Sequence, residues 1–583
     1  MLPIEQLNTN TVTDDLMVRL NKEKDVAYKF QVRRHDNWND NYELYRNKVR
    51  TNRLTQRQAV NIPLMKETVK TLLSKIDDPP SIKFKEKGGD LDKEIMIQAL
   101  WDDDFDKLNF AGIDIQDKKT VLLYGRAFKK LNFLNDRFDV TALDVYDVVV
   151  DPLVDPLNLD TANYLIHQNI FRSLREVLAN DRYTKKAKKG LKTYLSTDDA
   201  IIQSEKNKEA LEAKQERLMA MGIKSEDFDT FSAGDVILNL SEHYTNLWDK
   251  KKKEFVRYVV VYVNDQIRLM KAPLKELLGV DFMPFVTWGE DIETQDFWSD
   301  GPADLVRVPN KVANIYFSQM VENRTLKNFQ MSWYHSNKEG YQPQQFSPGP
   351  GRMLPSPPLD PGQSIRDVIM PVEVSGLDDT MNQIDFLIKL IERGTSATAI
   401  EKGVSEKKQI TLGEVETLVG KAAERTLAMA KFYRRSWKEL AEKWYLIMEA
   451  NSGKTRTLYK TSARGKVWER KVKASEWKSK DGYIVETKSS SEQEAEATNG
   501  IQKMFALMQQ FPDNRALKRI AQRRSLEMLD LTPEELREVE EEERKMEEMM
   551  QQPLPAGANP EEEQLAQSIT QGASELAGLN ARV

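Results

Sequence analysis

Residues 284–305 read PFVTWGEDIETQDFWSDGPADL, and the rest of the chain is organised around this stretch. Phe285 to Trp288 is a short apolar run, sized for a buried strand and closed by Gly289. Residues 290–300 then form an acidic loop. Gly301-Pro302 opens a helix, because the fixed φ and missing N–H of proline are tolerated in a first turn. That helix is expected to run over 301–329, with Pro309 kinking or restarting it.

Beyond this helix the chain stops resembling a core. Residues 341–362 read YQPQQFSPGPGRMLPSPPLDPG and hold seven of the 23 prolines, which rules out a core helix or a central strand. Leu377, Met381, Ile384, Ile388 and Ile391 then step by 4, 3, 4 and 3, a narrow seam on one helix face of the kind that packs against one other helix. Residues 394–410 are small and polar. Thr411-Leu412-Gly413-Glu414 has capping-box spacing, so a long helix is expected from Thr411 to about Glu449. Strands are expected at 455–459, 466–472 and 483–488. Beyond residue 490 the chain reads as charged helix, with nine Glu against three basic residues over 534–548, and the tail after Pro553 reads as poorly ordered. The chain therefore leaves a body, builds something distal, and returns alongside itself.

On the other side of residue 284, residues 14–75 carry apolar positions at helical spacing, with Pro63 at a helix start. A turn at 77–80 precedes a strand at 81–85. Residues 90–107 and 114–124 read as helices, the second stopping at Gly125. Residues 127–133, 138–143 and 147–150 read as a three-stranded meander, and 161–171 continues the strand pattern. Helix returns over 173–221, with a solvated Lys185–Lys189 run. Residues 236–248, 254–264 and 266–271 read as an antiparallel set.

Composition narrows the function. Among 583 residues there are four His and no Cys, so disulfides, thiolate zinc sites, iron–sulfur clusters and a Cys nucleophile are excluded. The start, MLPIEQLNTNTVTDD, has no basic segment followed by an apolar run, so no secretory signal is expected. The longest apolar runs, such as 258–263, fall far short of the roughly 20 residues a membrane helix needs. The 86 Lys and Arg against 92 Asp and Glu leave a net charge of −6, which argues against a surface that grips nucleic acid throughout.

No motif supplies an active site. SGKT at 452–455 lacks the first glycine of a phosphate-binding loop, since Met448 stands there, and it precedes a strand. Asp144, Asp147, Asp151, Asp155 and Asp160 cluster as a two-metal nuclease would require, yet Asp151-Pro152 and Asp155-Pro156 read as turn formers. His35, His167, His243 and His335 stand apart from one another. Neither an enzyme nor a cofactor is expected. Lys402, Lys407 and Lys408 are more informative, because a mobile loop with a positive tip can touch phosphates without reading bases.

The order of these segments resembles the portal proteins of tailed bacteriophages. The resemblance is carried by Gly125-Arg126-Ala127, VYDVVVDP at 145–152, WGEDIETQDFWSDGPADL at 288–305, the proline-rich excursion, the returning amphipathic helix, the loop and the capped long helix, and it spans residues 61–444. It implies an α+β, predominantly helical portal fold assembled as a ring. Residues 1–300 would form the wing, 301–329 the first stem helix, 330–376 the clip, 377–393 the second stem helix and 394–410 the tunnel loop. Residues 411–490 would supply the long helix and returning wing strands, 491–552 the crown and 553–583 a flexible tail.

The same resemblance implies a dodecameric virion protein at one capsid vertex, present in the host cytoplasm during assembly. Val312, Ile315, Leu377, Met381, Ile384, Ile388 and Ile391 would form the stem seam between helices and subunits. Tyr341, Phe346, Arg352 and Leu354 would lie in the docking clip, and Lys402, Lys407 and Lys408 would meet double-stranded DNA in the channel. The implied partners are the terminase large subunit, major capsid or scaffolding protein, and head-completion or tail adaptor proteins, with no membrane. A carboxylate-dependent nuclease using Asp147 and Asp151, and a non-ring helical scaffold, are the competing readings.

Overall fold

A computed structural model describes residues 12–48, 60–76, 79–134, 137–194, 237–249, 253–328, 332–334, 361–362, 364, 369–371, 376, 379–395, 412–451, 453, 456–461 and 467–488. Lys402, Lys407, Lys408, Tyr341, Phe346, Arg352, Leu354, Leu377, His335, Thr411 and everything assigned to crown and tail lie outside them. The chain forms two units, residues 1–456 with 472–490, and residues 457–471 with 491–583.

The first unit is α+β. Its helices are α1 (Val12–Tyr45), α2 (Leu64–Lys75), α3 (Leu91–Lys107), α4 (Phe110–Tyr124), α5 (Leu174–Ala179), α6 (Lys185–Tyr194), α7 (Leu274–Leu278), α8 (Pro302–Asn328), α9 (Thr380–Thr395), α10 (Leu412–Ala450) and α11 (Ala474–Trp477). Its strands start with β1 (Ser81–Glu86), β2 (Arg126–Leu134), β3 (Arg137–Leu143), β4 (Val148–Val150), β5 (Tyr164–Ser173) and β6 (Ile237–Asp249). They continue with β7 (Glu254–Val263), β8 (Ile267–Pro273), β9 (Phe285–Gly289), β10 (Ser332–Tyr334) and β11 (Ile369–Pro371). In the second unit β12 (Arg456–Thr461) pairs with β13 (Val467–Val472), and β14 (Tyr483–Lys488) returns to the first unit to pair antiparallel with β1.

Two antiparallel sheets form the body, one in the order β3-β2-β9 and one in the order β4-β5-β6-β7-β8. The expected meander over 127–150 is not formed. β2 and β3 do make a hairpin, but Asp144 accepts the Tyr146 N–H and winds Val145–Asp147 into a single 3-10 turn. The turn delivers β4 to the other sheet, where Val149 lies opposite Ile166. The third strand beside β2 is β9, from the 284–305 stretch, with Arg126 opposite Gly289.

Two helix expectations also change. The helix expected over 173–221 is broken at residues 180–184, and α6 starts afresh where the Thr184 hydroxyl accepts the Ala187 N–H at 3.2 Å. Residues 195–236 lie outside the described residues. Pro309 does not restart its helix but sits inside α8, which is assigned without a break from Pro302 to Asn328. The carbonyl that proline leaves unpaired belongs to Leu305, whose side chain is exposed, so water can reach that side of the helix.

α1 straps these parts together. Near its start Leu16 and Leu20 pack with Leu247, Val260 and Tyr262, and Glu23 meets His243 Nε2 at 3.0 Å. Farther along, Gln31 Nε2 donates to the Val145 and Val148 carbonyls at 2.6 Å, and Trp38 stacks edge-on among Tyr124, Tyr146 and Trp298. α10 passes through a second aromatic core. Its buried Tyr433 and Trp437 donate to Asp114, its Trp444 donates to Asp104, and Trp101 and Phe110 pack against it.

The chain is closest to itself where α4 ends. Gly125 has φ +82°, and a Cβ there would lie 2.0 Å from the Ser299 carbonyl oxygen. A Cβ on Gly289 would meet the Gly125 carbonyl at 2.7 Å, and one on Gly301 would meet the Val121 carbonyl at 2.8 Å. Gly125→Ala is therefore expected to destabilise the protein by at least about 3 kcal/mol through both backbone strain and collision. Urea unfolding should show the midpoint shift, with an unchanged midpoint as the contrary result.

Candidate assembly interface

The glycine junction sets the direction in which α8 leaves the body. Gly301 serves as its N-cap: the Asp304 N–H donates to the Gly301 carbonyl at 2.9 Å, and Asp304 Oδ2 accepts the Gly301 N–H at 3.0 Å. Below it, Ser299 Oγ donates to the Gly125 carbonyl at 3.0 Å. Arg126 is buried, donates from Nε to the Phe297 carbonyl at 2.8 Å, and lies 4.4 Å from the Phe297 ring centre. Burial lowers its guanidinium to about 10, only partly opposed by Asp296.

The acidic loop is tied to α1. Arg34 pairs with both Asp296 and Asp300 and donates to the Trp298 carbonyl at 2.7 Å. Asn41 Nδ2 reaches the Leu123 carbonyl and Asp304 at 3.0 and 3.1 Å, and Lys311 pairs with Asp40.

One side of α8 is polar and occupied. Asn310, Asn314 and Ser318 stand at successive turns and hold residues 60–65. Asn310 Oδ1 accepts the Met65 N–H at 3.1 Å, Asn314 Oδ1 accepts the Ile62 N–H at 2.7 Å, and Ser318 Oγ accepts the Val60 N–H at 3.1 Å. The i, i+4, i+8 spacing of three small polar residues was visible in sequence, but only buried backbone beside it gives that ladder meaning.

α9 packs against α8, burying Ile384 and Ile391. Strands β10 and β11 pair antiparallel, Trp333 opposite Met370, so the chain that leaves after α8 returns beside itself before α9. The seam residues separate in this setting. Val312 and Ile388 are half-buried, while Ile315 and Met381 are exposed. Within one subunit the packing of α8 and α9 leaves Met381 uncovered. With Leu305 and Val308 on α8, and Phe386 and Leu390 on α9, six large apolar side chains stand 46 % to 63 % exposed on this helix pair.

The carboxylates considered for catalysis serve the loops. Asp151 accepts the Leu153 N–H and both nitrogens of Asn163, Asp155 accepts the Leu157 N–H, and Asp147 accepts from Asn169. Asp160 accepts the Met283 N–H at 2.7 Å and pairs with Lys443 at 3.3 Å. Among the described residues no three His, Asp or Glu are placed to hold a metal ion, and no helix is long and apolar enough to cross a membrane.

Sequence reading missed the buried ions. Lys118 pairs with Asp114 and Lys129 with Asp117, each at 2.6 Å and almost fully buried. Burial pushes the Asp117 carboxyl up, against the pull of Lys129 and the Trp288 indole N–H. His243, isolated in the sequence, is wholly buried against Glu23, and burial lowers its pKa.

No family model and no curated protein matches the chain. Among solved structures it is similar to the neck of an empty GTA particle, computed with C6 symmetry, at a TM-score of 0.32 and 11 % identity, over 79 % of this chain and 90 % of that one. A superposition that loose assigns neither fold nor role.

Glu290 opens the acidic loop, and burial, with Asp291 beside it, raises its carboxyl to about 7. An unfolded Glu titrates near ~4.3, so the folded state binds this proton more tightly and loses stability as pH rises from about 4 through about 7. Glu290→Gln should raise the melting temperature at pH 8 and leave it unchanged at pH 4. An equal shift at both values would dismiss the titration as the cause.

Proposed function

We propose that this chain is the portal subunit of a tailed bacteriophage, a non-enzymatic ring, dodecameric by resemblance, at one vertex of the virion. The observation that carries the reading is the α8–α9 pair. The two helices pack on each other within the subunit, yet Leu305, Val308, Ile315, Met381, Phe386 and Leu390 stay exposed on them. Isolated exposed apolar residues need no explanation, but a set of six on two adjacent helices calls for a covering surface. A neighbouring copy in a closed ring supplies one around the whole circle. The order of segments over 61–444 supports the same role.

In this reading double-stranded DNA passes through the ring during packaging and ejection, touched by Lys402, Lys407 and Lys408 without sequence readout. The terminase large subunit, and later head-completion or tail adaptors, dock on residues 330–376, and capsid or scaffolding protein surrounds the ring during assembly. Nucleotide hydrolysis belongs to the terminase. A nuclease is disfavoured because Asp147 and Asp151 are already engaged as loop acceptors.

Electron microscopy of purified full-length protein should show rings with a central hole. Val308→Asp and Phe386→Asp are expected to leave folded subunits that no longer close rings, since each places an unpaired charge in the covered face. Full rings from both variants would refute the interface. Replacing Lys402, Lys407 and Lys408 with Ala should preserve rings and reduce packaged genome, and an unchanged yield of filled particles would remove the tunnel-loop role.

A further inference from the structure

Residues 172–192 hold eight Lys or Arg and two Asp or Glu, a local charge of +6 in a chain of −6. They include α5, the turn at 180–184, and α6, which packs against β8 at the edge of the five-stranded sheet. Leu191 is buried and Ala187 half-buried, whereas Arg182, Lys185, Lys186, Lys189 and Lys192 are exposed. The helix thus anchors by its small apolar side and presents lysines outward.

Three features of this face run against helix stability. Lys185 and Lys186 occupy the first turn, where the helix dipole disfavours positive charge. Lys185, Lys186, Lys188 and Lys192 make no ion pair among the described residues, and like charges at i, i+3 and i+4 spacing disfavour a helix. Gly190 lies within the helix, where alanine is the better helix former, yet a Cβ there would meet nothing within 4 Å. Packing does not require that glycine. It leaves the backbone open to close approach.

We propose that the outer face of α6 is a sequence-independent contact for the phosphodiester backbone of double-stranded nucleic acid, separate from the loop at 394–410. Lys185, Lys188 and Lys192 stand at i, i+3 and i+7 on successive turns of one face, about 5.4 Å apart per turn, against a duplex that carries a phosphate every ~3.4 Å of each strand. Lysine ammoniums are compact point charges suited to phosphates without bidentate base reading. A protein partner normally adds apolar or aromatic anchors, and on the 182–192 face the apolar side chains are turned inward. Such a contact does not require ring formation.

The test is a titration of labelled duplex DNA of arbitrary sequence with full-length protein between about 50 and 200 mM salt. The variant carrying Lys185→Gln, Lys186→Gln, Lys188→Gln and Lys192→Gln should bind at least about tenfold more weakly at the lower salt, with the slope of log K against log salt reduced by about 3. The corresponding four Lys→Arg substitutions should retain both values, since charge is kept. These effects should persist in a background lacking Lys402, Lys407 and Lys408. Equal binding by native and Gln proteins overturns the proposal, and so does equal loss in the Arg variant, which would report damaged folding. Tighter capture of poly-glutamate than of the duplex also overturns it, assigning the face to an acidic protein. Ring formation, imaged separately, stands or falls on its own.

Discussion

The architecture depends on one steric constraint, the close crossing of three backbone segments at Gly125, Gly289 and Gly301. Any side chain at these positions would strike a carbonyl or amide of the neighbouring segment, so only glycine lets the end of α4, the end of β9 and the start of α8 share the space. Arg126 then fills the space beside the crossing, its burial made tolerable by the carbonyls of Phe297 and Pro156 and by the Phe297 ring. Because the crossing fixes where α8 begins, it also fixes how the helix pair projects from the body. α1 reinforces the geometry from outside, holding the acidic loop through Arg34 and the first turns of α8 through Asn41 and Asp40.

Local rules made much of the fold legible. Gly125 ends a helix in the left-handed region, Pro302 sits in a first turn, Asp90 caps α3, and the strands from 237 to 273 follow alternation and turn residues. The parts that escaped the sequence depend on partners distant in the chain. Val148-Val149-Val150 is buried on both faces, so it has no alternation to say which sheet it joins. Lys118 and Lys129 look like any solvated lysines until Asp114 and Asp117 are brought against them in the core.

The candidate interface was legible in kind but not in detail. A 4-3 rhythm marked α9 as a packing helix and picked out Ile384 and Ile391, which are buried. The same rhythm passed over Phe386 and Leu390, because apolar residues also stand between the seam positions and widen the stripe beyond one face. A narrow seam serves one contact, whereas a wide stripe serves two, and only coordinates separate the covered part from the part left open. The loop and clip positions singled out in the sequence, Lys402, Lys407, Lys408, Tyr341, Phe346, Arg352 and Leu354, lie outside the described residues.

The division between the two exposed surfaces gives the net charge its meaning. The α8–α9 pair offers large exposed apolar side chains, whose burial against another surface is favoured by the hydrophobic effect and barely weakened by salt. α6 offers the opposite, lysines without apolar anchors, whose attraction is long in reach, weak per contact and steeply reduced by salt. Under the proposed function, lasting assembly and passing contact with a polyanion call for these properties on different faces. A charge of −6 over 583 residues is the sum of such faces, and it says little about any one of them.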